Sequence, residues 1–240
     1  MIRAFGAGTE PRVVLGRHRG PGMTSGRWAS FHLLLTHRSI ITIVAVMVRP
    51  REFDRDAALA TATRLFWAKG FAATSTDDLL KAMGIGRQSM YNAFGDKRQL
   101  YLEVLQTYQQ NVLAGHLKRL NAAASPLDGM RELLRGLIAD DDGQRALGCL
   151  GVCAVGEFGT TDAEVLDMAH RVAVTLGARI VERIREAQEI GEIDPAADPA
   201  QAAAFIQTTM AGLQVAARAG AGREALRTLA EFAVGRLKAV

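Results

Sequence analysis

The chain predicts an all-α protein. Apolar residues recur at three- and four-residue steps along most of its length, Gly and Pro fall between these stretches at helix-stop and helix-start positions, and no alternating strand pattern of any length appears. The expected architecture is an N-terminal three-helix helix-turn-helix unit over residues 47–101, followed by a helical bundle over residues 102–240. Residues 1–46 fit neither part.

The first helix is expected from about Asp54 to Lys69, with Leu59, Ala62, Leu65 and Phe66 on one face and Gly70 ending it. Ser75 then caps a short second helix. Asp77 and Asp78 lie in its first turn, where the helix dipole favours negative charge, and Leu79, Leu80 and Met83 point inward. Gly84 breaks this helix, Ile85 plugs the turn, and a third helix runs from about Gly86 to Ala93 before Gly95. Met90 and Phe94, four apart, face the core, which leaves Arg87, Gln88, Ser89, Tyr91 and Asn92 on the other side. That surface consists of donors and acceptors of the kind that read base edges in the major groove.

The stretches LFWAKGFAATS, DLLKAMGI and RQSMYNAFGDKRQLY resemble the headpiece of the tetracycline-repressor (TetR) family of bacterial one-component regulators. The resemblance implies a DNA-binding domain over residues 47–101 and a ligand-binding and dimerisation domain over residues 102–240. Carried over residue by residue, it implies that Ser75 and Thr76 bind phosphate, that Arg87, Gln88, Ser89 and Asn92 face bases or nearby backbone, and that Tyr91 and Lys97 clamp phosphates. For Lys97 elementary physics agrees: it follows Asp96, the expected cap of a fourth helix, where free amides and an ammonium both attract an anion. Gly86 departs from the family, which often has a polar capping residue there. Simpler readings stay open beside these. Ser75 is compatible with capping alone, Tyr91 with a core ring whose hydroxyl is wet, and Arg87, Gln88 and Asn92 with a solvated face.

Charge supports this placement, although the net charge of +4 conceals it. Residues 1–46 carry six arginines and one glutamate, so their removal leaves a remainder of −1. Within that remainder, Arg49 to Arg119 carry 11 basic and 7 acidic residues, whereas Leu120 to Val240 carry 12 and 17. Positive charge therefore collects around the headpiece.

Residues 1–46 are rich in Gly and Arg and lead into the apolar run Ile40 to Val48. A membrane span needs about 20 apolar residues, and His37 and Arg38 interrupt any longer window. A secretory signal would lie nearer the N-terminus. The expectation is a translation start at Met47, which mass spectrometry of the native N-terminus tests. If translated, the segment is expected to be a disordered basic arm adding non-specific phosphate contacts.

Downstream, a fourth helix is expected from Lys97 to about Leu120, with Leu100, Val104 and Leu105 inward, linking headpiece and body. Ser125 and Pro126 open a fifth that ends near Asp140, and DDDG follows as a loop. The segment ALGCLGVCAVGEF reads as a helix buried on most sides. Asp162 to Ile190 form a long seventh helix. Asp198 and Pro199 open an eighth and Gly222 precedes a ninth.

Ala203, Ile206, Met210, Leu213 and Ala217, with Leu226, Leu229, Phe232, Ala233 and Leu237, give these last two helices more apolar face than one small bundle needs. The alternative is a purely intramolecular core. The resemblance implies a homodimer built from such helices, reading a palindromic double-stranded DNA operator as a repressor. It further implies a small-molecule effector held between body helices, with Tyr108, Cys153, Phe158 and Met168 as candidate pocket residues, and coupling through the fourth helix.

Two cysteines, Cys149 and Cys153, fit a reducing cytoplasm without structural disulfides. Four apart on a helix, they point alongside rather than toward each other, and no nearby histidine completes a metal set. Buried packing competes with a role for Cys149 as an electrophile or redox sensor, as in some members of the family. No cofactor, metal or membrane partner is expected. A helical-bundle enzyme using His116, His170, Glu157 or the cysteines lacks ligand spacing and a nucleophile motif, and a pure scaffold leaves the Arg87 to Asn92 surface unexplained.

Overall fold

The computed structural model describes residues 53–238; the expectations for residues 1–46 and for a start at Met47 lie outside the described residues. Ten helices follow in order: α1 (Arg55–Lys69), α2 (Thr76–Met83), α3 (Arg87–Phe94), α4 (Lys97–Ala122), α5 (Pro126–Arg135), α6 (Asp142–Ala146), α7 (Leu150–Phe158), α8 (Ala163–Glu189), α9 (Pro199–Arg218) and α10 (Arg223–Gly235). No strand occurs among the described residues beyond a single antiparallel bridge between Ile193 and Lys238.

Side-chain caps set most of the helix starts. Asp54, Ser75, Asp96, Ser125, Asp141, Asp162 and Asp198 each accept a hydrogen bond from a first-turn amide of the helix that follows. Proline occupies the first position of α5 and of α9, where its missing N–H costs nothing. Gly84 ends α2 in the left-handed region at φ 67°, which turns the chain sharply into α3.

Two hydrophobic clusters hold the molecule together. The first packs Ala58, Ala62 and Phe66 of α1, Leu79 of α2, Met90 and Phe94 of α3 and Leu100, Tyr101, Val104 and Leu105 of α4, and continues into Leu150, Ala154, Val165 and Met168 of α7 and α8. The second joins α5, α8, α9 and α10 around Met130, Leu133, Ile180, Ile184, Ile206 and Leu226. The three-helix headpiece is thus seated on the body by shared apolar surface, with the rings of Phe66 and Tyr101 meeting edge-on at 5.0 Å between centroids.

Three expectations need correction. DDDG is not a loop: Asp141 accepts from the Gln144 amide and starts the short helix α6, while α5 stops early, at Arg135. α7 is buried only at Leu150 and Ala154, with Val155, Gly156 and Glu157 exposed, because it packs on the headpiece and α8 through one side. Finally, the stripe Ala203, Ile206, Met210, Leu213 and Ala217 is intramolecular core. The apolar residues left open are Phe205 and Val215 on α9 and Leu229 and Phe232 on α10, at 42, 57, 52 and 67% exposure, so Leu229 and Phe232 open to solvent beside the buried stripe of Leu226, Ala233 and Leu237.

Candidate nucleic-acid interface

α3 is held by its apolar side. Met90 and Phe94 are buried and Arg87, Gln88, Tyr91 and Asn92 are exposed, with Tyr91 at 42%. Burying two side chains of this size contributes about 1.5–3 kcal/mol each, enough to fix which face an eight-residue helix turns outward. Ser89 is half-buried, at the edge of the outer face.

Gly86 opens the helix without a side-chain cap. The start of α3 is instead tied to α2 by the Arg87 guanidinium, which lies 2.6 Å from an Asp77 oxygen. The Gln88 amide donates to Asn92 Oδ1 at 2.9 Å. Both pairs are exposed, and an exposed ion pair contributes about 1 kcal/mol or less, so these side chains are free to exchange partners.

Ser75 works as a cap. Its Oγ accepts from the Asp78 amide at 3.0 Å, and its own amide donates to Asp78 Oδ2 at 3.2 Å. That amide, then the hydroxyl, hold the Asp78 carboxyl below the usual carboxylate range. Thr76 is half-buried at the first position of α2. Lys97 opens α4 behind the Asp96 cap, with its ammonium resting 4.1 Å from the centre of the Phe71 ring. Ser75, Thr76, Arg87, Gln88, Tyr91, Asn92 and Lys97 all lie at helix starts or on the outer side of α3, and Thr74, which the sequence reading passed over, is buried just before the start of α2, donating to the Gly70 carbonyl at 2.6 Å.

Three sets of polar contacts connect headpiece and body. The Glu157 carboxylate accepts from the Phe71 and Ala72 amides at 2.9 and 2.6 Å, so α7 holds the turn between α1 and α2. Trp67 Nε1 and Arg218 both donate to the Leu147 carbonyl, at 3.1 and 2.8 Å. Arg98 of α4 pairs with Asp162 and Glu164 at the start of α8. None of these partners adjoin in sequence.

Beside this junction opens a cavity of about 980 Å³, lined by residues of α1, α4, α6, α7, α8 and α9, including Trp67, Tyr108, His116, Cys149 and Met210. Tyr108 lies on its wall, with its hydroxyl accepting from the Leu150 amide at 3.3 Å; burial, then the neighbouring Cys149, push its phenol well above the usual range. Cys153, Phe158 and Met168 do not line this cavity. Phe158 packs at a tilt against the rings of Phe71 and Tyr101, Met168 belongs to the headpiece cluster and borders a small separate hollow, and Cys153 sits half-buried with its thiol pushed up by burial. Helix rotation explains the difference: on α7 the residues on the wall are Gly151, Val152 and Val155. The wall also holds Gln109, His116 and Arg119, whose spacing along α4 carried the signal. No group of three or more metal-ligating side chains gathers among the described residues, and no described helix is long and apolar enough to cross a membrane.

Residues 58–104 match the family described as bacterial regulatory proteins, tetR family, and residues 126–232 match the tetracyclin repressor-like C-terminal domain. The transcriptional repressor ComR of Escherichia coli K12 is 30% identical over 191 residues, spanning 76% of this chain and 88% of its own. The chain belongs to the TetR family. Its members are DNA-binding transcriptional regulators, and this TetR chain has their helix-turn-helix headpiece and helical body. An uncharacterised regulator of Bacillus subtilis 168, YezE, is 31% identical across 62% of this chain and 77% of its own. Among solved structures, a cysteine-substituted form of the TetR regulator CifR in complex with 26-bp operator DNA is 32% identical, covers 79% of this chain and 99% of its own, and superposes with a TM-score of 0.68.

Proposed function

We propose that this TetR regulator is a homodimeric repressor that binds a palindromic operator and releases it when a small molecule enters the cavity. The observation that carries the DNA reading is the orientation of α3: Met90 and Phe94 are inside while Arg87, Gln88, Tyr91 and Asn92 stand outside. Gln88 and Asn92 read base edges, Arg87 exchanges Asp77 for a base edge or phosphate, and Ser89 contacts the backbone beside them. Ser75 and Thr76 offer a helix start to phosphate, a role compatible with capping because a phosphate oxygen can approach the remaining first-turn amides. Lys97 leaves the Phe71 ring for phosphate. An exposed cation–π contact is worth about 0.5–1 kcal/mol, less than the roughly 1.5–3 kcal/mol of a charge-assisted hydrogen bond. The CifR complex with operator DNA supports this assignment.

Dimerisation is assigned to the outer sides of α9 and α10, where Phe205, Val215, Leu229 and Phe232 are open to solvent. Two copies present two recognition helices to successive major grooves, which is what a palindrome requires. Coupling runs through α4 and through the Glu157 contact, since both join the cavity wall to the headpiece. Cys149, on that wall, is the position at which an electrophile would act; operator release by a quinone that persists unchanged in Cys149→Ser rejects a sensing role.

The test of the DNA reading is a salt titration of binding to the DNA upstream of the chain's own gene. Tyr91→Ala and Lys97→Ala are expected to weaken binding to all sequences, and Lys97→Ala to lower the slope of log affinity against log salt by about one. An unchanged slope and affinity in both variants rejects the headpiece as the nucleic-acid surface.

A further inference from the structure

The cavity wall carries a polar group that the fold itself does not use. His116 of α4 is 9% exposed, lines the cavity, and has its Nδ1 buried without a hydrogen-bond partner. A buried N–H without a partner costs more than a bare acceptor, so the proton belongs on Nε2, the nitrogen left on the cavity side. Burial, then the nearby positive charge of Arg119, push the imidazole down to about 4, so it is a neutral donor at neutral pH.

Arg119 follows three residues later on the same wall and forms no ion pair among the described residues. Its guanidinium lies across Gly136 so closely that a side chain there would displace it. Gly136 sits at φ −66°, a right-handed conformation open to any residue, so what the missing side chain provides is room for the arginine. The other arginine on the wall, Arg145, is occupied: it donates to the Ala139 and Asp140 carbonyls and pairs with Asp142. Among the described residues the wall's sole carboxylate is Asp56 of α1, and most of the rest is apolar, including Leu59, Val112, Leu137, Val172, Leu176 and Met210.

We infer that this site takes the carboxylate of an otherwise apolar molecule, with His116 donating to one oxygen from Nε2 and Arg119 supplying the opposing charge. One neutral donor and one unpaired cation match a monoanion; a phosphate dianion would lack its second cation. Gln109, 8% exposed and two turns before His116 on the same wall, is available to a second polar group farther along the molecule. The inference names the effector class and rests on the reading of the cavity as the effector site.

The experiment uses the full chain carrying Trp28→Phe, so that Trp67 on the cavity wall is the remaining tryptophan and reports occupancy. Aryl-alkanoates from 4-phenylbutanoate to 8-phenyloctanoate are titrated against their amides and amines. The expected result is that at least one acid quenches or shifts Trp67 fluorescence with about tenfold tighter binding than its amide or amine. Arg119→Met is expected to remove that advantage. So is Gly136→Ala, which keeps the arginine but pushes its guanidinium aside, and whose melting temperature checks folding. No binding by any acid, amides or amines binding as tightly as acids, or an acid preference surviving both substitutions overturns the inference. Operator binding is measured in parallel: an acid that binds as expected yet leaves operator affinity unchanged upholds the carboxylate site and rejects the effector reading.

Discussion

Phe232 gives the sharpest handle on assembly. The residue is 67% exposed on α10, one turn from Leu229 at 52%, and turned out of the core that Leu226, Ala230 and Ala233 enter. An aromatic side chain presents about 200 Å² when fully open. The two-thirds that remain exposed are therefore about 130 Å², worth about 3 kcal/mol at 25 cal/mol per Å² if fully covered. A two-fold interface buries the residue twice, and half coverage of each copy returns the total to about 3 kcal/mol. Phe232→Glu removes this contribution and places a carboxylate on each side of the axis, so the dimer dissociation constant is expected to rise by roughly a hundredfold or more. Sedimentation equilibrium over a wide protein concentration range measures it, and the melting temperature at high dilution serves as a control, because an outward residue leaves the monomer fold intact. A dissociation constant within about threefold of wild type would refute the assignment of this face, as would a variant that unfolds as a monomer.

Further substitutions probe the junction, the recognition helix and the cavity. Glu157→Gln weakens the acceptor for the Phe71 and Ala72 amides; hydrogen exchange at these two positions is expected to accelerate by about fivefold or more, corresponding to about 1 kcal/mol for an exposed charge-assisted contact, and unchanged protection would deny that α7 holds this turn. Asp77→Ala frees Arg87 from its ion pair, so operator affinity is expected to rise by up to about fivefold at low salt, and a loss of affinity would show that the pair positions the arginine productively. His116 is neutral in the folded chain down to about pH 4, whereas unfolded histidine protonates near 6.5. The unfolded state therefore binds more protons between these values, so the contribution is complete above about pH 6.5 and is lost as pH falls toward 4, amounting to up to about 3 kcal/mol. Denaturant melts of wild type and His116→Gln across pH 4–7 are expected to diverge in slope by one proton over that window, and parallel curves would contradict the buried neutral imidazole.

The headpiece was legible in the sequence because its order is local. Caps sit three residues from the amides they bind, as Ser75 and Asp96 do, and glycines close the helices they follow, so α1 to α4 could be placed from spacing alone. The inward and outward sides of α3 followed from the four-residue step between Met90 and Phe94. The body was harder for two physical reasons. α10 has apolar residues on two faces, and periodicity does not tell the core face of Leu226 and Ala233 from the open face of Leu229 and Phe232. The cavity and the junction are built from distant partners: Glu157 with Phe71, Trp67 with Leu147, Arg119 with Gly136. Nothing in local pattern encodes those pairings, so Phe158 and Met168, plausible as pocket residues by composition, prove to pack elsewhere.

The central claim is that the outer side of α3 reads base sequence, and the ratio of operator affinity to random-duplex affinity at one fixed salt concentration tests it most directly. For Gln88→Ala and Asn92→Ala together that ratio is expected to fall at least tenfold, since each base contact contributes about 1–3 kcal/mol of discrimination, while affinity for random duplex stays within about twofold of wild type. An unchanged ratio, or an equal loss on both duplexes, would contradict it.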